Sequence, residues 1–129
     1  MTDRDRINAE SKAYNEKQGF PRLVGSEKQI AWAETIRAET HRDYLAMIED
    51  LETNIRPQRS HETAEKYQDR LARRHERIEQ YKRQAKLAFS QTNSSWWIDN
   101  RDDMAPRWNG QISPWVRLEM KEEWRKKRG

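Results

Sequence analysis

Cysteine is absent from this sequence, which excludes disulfides, thiolate nucleophiles and cysteine metal sites together. A chain without disulfides fits a reducing compartment. Glycine is nearly as scarce: Gly19, Gly25, Gly110 and Gly129 form neither a GxGxxG turn nor a GxxxxGK phosphate loop, so nucleotide binding by those routes has no residues to use. No apolar run approaches the length needed to span a bilayer. The opening MTDRDRINAESKAYNEK lacks the apolar stretch of a secretory signal. These absences predict a cytoplasmic protein with no membrane partner. No segment alternates β-branched and polar residues with period two, so no sheet is expected.

What is present is charge and tryptophan. Of 129 residues, 37% are charged and 33% hydrophobic, with 26 Lys and Arg against 22 acids and six tryptophans. A one-sided charge with few aromatics would imply disorder, whereas balanced charge with many tryptophans implies a folded domain with a thin core. At this length the chain is one domain, and a thin core invites completion by a partner or by a homodimer.

Residues 1–18 have weak periodicity and read as a polar N-terminal arm or frayed helix, leaving 19–129 as a single helical domain. Gly19, Pro21 and Gly25 punctuate the chain before Ser26, which forms a capping box with Gln29. Ile30, Ala33, Ile36, Tyr44, Met47, Ile48, Leu51 and Ile55 then recur at helical spacing, predicting a helix over 26–55 that Pro57 ends. A second long helix is predicted over 60–89, on a seam of Ala64, Tyr67, Leu71, Ile78, Tyr81, Ala85 and Ala88 that Arg74 interrupts. On it Glu62 with Lys66, Asp69 with Arg73, and Glu79 with Arg83 are spaced for acid-before-base pairing. A short helix over 93–101, capped near Thr92, brings Trp96 and Trp97, and Ser113 with Pro114 opens a last helix over 114–127. The expected fold is therefore all-α. A long antiparallel helical hairpin carries short N- and C-terminal helices packed through a tryptophan cluster of Trp32, Trp96, Trp97, Trp115 and Trp124.

Catalytic constellations are hard to find, and the chain reads as a non-enzyme without cofactors. His61 with Glu65 and His75 with Glu79 stand one helical turn apart, but a glutamate-rich surface produces that spacing freely, so no metal site is assigned. Asp99, Asp102 and Asp103 sit near the tryptophans, where desolvation makes general acids; helix-end caps or partners for Arg101 and Arg107 are the simpler role. Binding surfaces offer more. Lys66, Arg70, Arg73 and Arg77 recur at four, three and four residues and form one helical stripe suited to phosphates, with Arg74 extending the field. Trp108, beside Arg107 in a loop with Pro106 and Gly110, is the tryptophan expected to be exposed, as a hot spot or a base platform.

Two blocks, GSEKQIAWAETIR at 25–37 and SSWWIDNR at 94–101, resemble a pair of motifs in small uncharacterised proteins of phages and mobile elements. Together they cover about one sixth of the chain. The resemblance carries no catalytic residues. It implies that the blocks pack together, and that the protein acts by occupying a host defence or nucleic-acid-processing complex, as anti-CRISPR inhibitors do. The partner expected is a host protein or nucleoprotein complex. The alternative is a module that binds DNA or RNA directly through the basic stripe.

Overall fold

A computed structural model describes residues 2–107 and 109–129. Among these the order is α1 (Asp3–Lys17), α2 (Glu27–Thr53), α3 (Ala64–Phe89), α4 (Ser94–Asp99), a 3-10 turn (Arg101–Asp103) and α5 (Ser113–Arg128). The fold is all-α, and among the described residues extended pairing is confined to one bridge, Val24 with Asn93. None of these helices is long and apolar enough to cross a membrane.

The N-terminal segment forms a complete helix. Thr2 accepts from the Asp5 backbone N–H at 3.1 Å while the Asp5 carboxylate accepts from Thr2, a second capping box with no apolar signal around it. Its buried residues are Ser11 and Asn15, so the face that docks is polar. Thr35 donates to Asn8 at 2.8 Å and Tyr14 lies 2.7 Å from Nδ1 of His41, each across 27 residues. Since Asn8 meets Thr35 and the later Tyr14 meets the later His41, α1 and α2 run parallel. The segment between them must therefore run back along α2. It does so with Phe20 against His41, the Pro21 carbonyl accepting from Arg37, Leu23 buried, and Val24 bonded to Thr92 and Ser94. Gly25 then turns into the Ser26 cap with φ of 150°, where a Cβ would stand 3.1 Å from the Ser94 Cβ. A side chain there would be strained by the backbone angle and crowded by Ser94.

Helix α2 is the central element and ends at Thr53, before the expected boundary near 55. Arg74 explains the earlier stop. It donates to the carbonyls of Leu51 at 2.6 Å and Asn54 at 2.6 Å, satisfying groups that a helix C-terminus leaves unpaired. Helix α3 begins at Ala64 rather than 60, because Thr63 supplies the cap by accepting from the Lys66 N–H. It returns antiparallel to α2, with Lys82 paired to Glu52 and Phe89 reaching Tyr44. The short helix after it is capped by Asn93, one residue beyond Thr92. Glu119 of α5 faces Gln80 and Gln84 of α3. Ser113 is not the cap of α5: Ile112 occupies that position without a side-chain bond, and Ser113 instead accepts from Arg107.

The aromatic core meets at Phe89, whose ring lies within 6 Å, centroid to centroid, of Phe20, His41, Tyr44, Trp97 and Trp115. Trp97 and Trp115 are fully buried, whereas Trp32 and Trp124 are 39% and 58% exposed, correcting the expectation that both lie in the core. For Trp124 the reason is angular. Nine residues at 3.6 per turn place it roughly 180° from Trp115, so one helix cannot bury both against the same neighbour.

A buried ion pair sits beside this core. Arg37 donates to Glu34 at 2.7 Å and to Pro21, while Asn15 donates to the Glu34 carbonyl, so one polar knot joins α1, the return segment and α2. Burial pushes the Glu34 carboxyl up and the Arg37 guanidinium down, and each restrains the shift of the other. His41, enclosed by four rings, is pushed below the ordinary histidine value by burial. It is therefore neutral near pH 7, with Nδ1 hydrogen-bonded to the Tyr14 hydroxyl. Because the unfolded chain takes up this proton first, stability falls as pH drops below the unfolded value of about 6.5. Urea unfolding between pH 7.5 and 5.5 should show that fall, and His41→Gln should flatten it; an equal slope in the variant contradicts the assignment.

Candidate binding surfaces

The hairpin divides the predicted basic stripe into two groups. Arg70 donates to Glu62 from two nitrogens at 3.0 Å and to the carbonyls of Arg56 and Pro57, pinning the α2–α3 connection. The same bonds hold the Glu62 carboxyl below its usual range. With Arg74 capping α2, these two cations serve the fold. Lys66, Arg73 and Arg77 remain exposed, and among the described residues none of them is ion-paired. Arg73 makes only a 3.5 Å bond to the Asp69 carbonyl.

Among the described residues none of the three expected acid–base pairs forms. Glu62 precedes the helix and so lacks helical register with Lys66; it binds Arg70 instead, while Glu79 pairs with Lys82 at 3.7 Å. Arg73, Arg77 and Arg83 consequently line a shallow depression of about 490 Å³ on the solvent side of α3, with Glu76 and Glu79 between them. This surface is charged in both signs, with the cations in excess.

The remaining candidates lie apart from it. Arg107 is paired with Asp103 at 3.2 Å and bonded to Ser113, which fixes the loop before α5. Trp108 lies outside the described residues. Asp99 ends α4, and Asp102 lies in the 3-10 turn. His61 is in the connection and His75 is exposed on α3, and no metal-holding cluster of three or more His, Asp or Glu occurs among the described residues.

A second surface was missed in the sequence because its walls are some 60 residues apart. A cleft of about 540 Å³ opens between α2 and the segment around 101–112. Ile36, Met47 and Ile112 give it apolar lining, and Trp32, Tyr44 and Trp115 contribute aromatic rings. Glu39, Asp43 and Asp102 add carboxylates, and among the described residues none of these is ion-paired. Arg101 also lines it. Its guanidinium stacks 4.9 Å above the Trp32 ring and donates to the Ile98 carbonyl. Glu39 and Asp43 stand one turn apart on α2, a spacing too common in this chain to have flagged the surface.

No family model matches the chain, and no curated protein and no solved structure is significantly similar to it.

The division of the stripe makes a direct prediction for stability. Arg74→Met leaves two helix-end carbonyls of α2 without their charged donor and should cost about 1–3 kcal/mol in urea unfolding. Arg73→Met should stay within about 0.5 kcal/mol, as an exposed surface change does. Equal losses in the two variants would contradict the assignment.

Proposed function

We propose that this chain is a non-enzymatic binding protein of phage or mobile-element type, which inhibits or modulates a host defence or nucleic-acid-processing complex. The supporting observation is uncommitted charge. The fold engages Arg70, Arg74 and Arg107, yet leaves Lys66, Arg73, Arg77 and Arg83 on the exposed side of α3 with no ion pair among the described residues. Unpaired surface charge of this kind steers association and selects partners more than it stabilises a fold. Acids interleaved with these cations suit a protein or nucleoprotein surface that itself carries both signs.

Direct binding of DNA or RNA is the second reading. Lys66, Arg73 and Arg77 follow one side of α3 at intervals of seven and four residues, a geometry that can track phosphates. Three such contacts would give a modest salt dependence, with a logarithmic slope of about −3 on duplex DNA.

One experiment addresses both. Tagged wild type and Arg73→Glu/Arg77→Glu are recovered from a bacterial host, with and without nuclease treatment, and their partners identified by mass spectrometry. A defence, nuclease or polymerase component retained by wild type after nuclease treatment and lost from the variant is the expected result. Recovery of no such component overturns the first reading. Failure of the purified protein to shift duplex or single-stranded nucleic acid at low salt overturns the second.

A further inference from the structure

The cleft on α2 differs in sign from the α3 surface. The whole chain carries a net charge of +4, yet the cleft gathers Glu39, Asp43 and Asp102 against Arg101 alone. The cations that serve other carboxylates do not reach these three: Arg37 is spent on Glu34, Lys82 on Glu52 and Glu79, and Arg107 on Asp103. Glu39 and Asp43, at i and i+4, are like charges on adjacent turns, an arrangement that destabilises a helix. Among the described residues neither forms an ion pair. Both are exposed, and they line the same cleft as the buried Trp115 and the half-buried Tyr44.

Shape and chemistry then narrow the occupant. Trp32 is partly exposed and already carries a guanidinium on its ring, so this wall accepts a planar cation by stacking. Burial pushes the Tyr44 phenol further above its ordinary value, so the ring stays neutral. Trp115 also lines the cleft, and its Nε1 is buried with no hydrogen-bond partner. An ammonium ion can also sit over a ring, but only a guanidinium stacks a flat face on it while making two parallel N–H bonds to a carboxylate. We propose that this cleft receives an arginine side chain from a basic segment of a protein partner, seated between the aromatic wall and Glu39 and Asp43. The site is separate from the α3 surface and does not depend on the role assigned to it.

The test is titration of the full-length protein with acetyl-Gly-Arg-Gly-amide and its lysine and citrulline counterparts, followed by amide and indole NMR shifts. The arginine peptide should shift the Trp32 and Trp115 indole signals saturably and bind at least tenfold more tightly than the citrulline peptide, which has the same shape without the charge. Glu39→Gln/Asp43→Asn should weaken it at least tenfold. Glu65→Gln/Asp69→Asn, an equal change of charge on α3, should not. Equal binding of the citrulline or lysine peptide, or undiminished binding by Glu39→Gln/Asp43→Asn, overturns the proposal. Both variants alter exposed side chains, and their spectra report directly that the fold is retained.

Discussion

One ring holds the architecture together. Phe89, in the last turn of α3, touches Phe20 of the return segment, His41 and Tyr44 of α2, Trp97 of α4 and Trp115 of α5. In a chain with few aliphatic residues, the core is therefore organised around a junction of aromatic rings in edge and stacked contacts, which add to simple burial. The return segment, α2, α4 and α5 all meet α3 at this point. Helix α1 alone is attached by other means, through Asn8, Tyr14 and Asn15 and the polar knot around Glu34 and Arg37.

The thin core has a consequence for charge. Much of what would be solvated decoration in a larger domain is structural here: Arg37 is buried, Arg74 closes the end of α2, Arg70 ties down a connection, and Arg107 braces a loop. Among the described residues, Lys66, Arg73, Arg77 and Arg83, with Glu39, Asp43 and Asp102, are charges left without an ion pair after this use. The outer side of α3 carries both signs with the cations in excess, and the α2 cleft carries three carboxylates against Arg101. A protein with two surfaces of opposite net sign can meet a partner of mixed charge in one orientation only, since the reversed pose sets like charges against each other.

Much of this could be read from the chain itself. The Ser26 and Gln29 box and the 3.6-residue seams located α2 and α3, because caps and apolar periodicity are local properties of sequence. The polarity of α1 concealed its docking, since a helix held by Asn, Thr and Tyr hydrogen bonds shows no apolar stripe. Spacing alone placed Trp124 wrongly, although its angle to Trp115 was already implied by the helical period. The roles of Arg70 and Arg74 were hidden for a different reason. Their acceptors are carbonyls 13 to 23 residues away, and only the closed hairpin brings them within reach. The cleft was the least legible feature, because it exists only where the 101–112 segment crosses α2.

The claim most open to direct test is that the aromatic junction makes the elements one cooperative unit. Native-state hydrogen exchange of wild type and Phe89→Leu reads this residue by residue. The slowest amides of α2, α3, α4 and α5 should lose protection by the same factor, because they share one opening. Loss confined to the last turn of α3, with α2 and α5 unchanged, would contradict it.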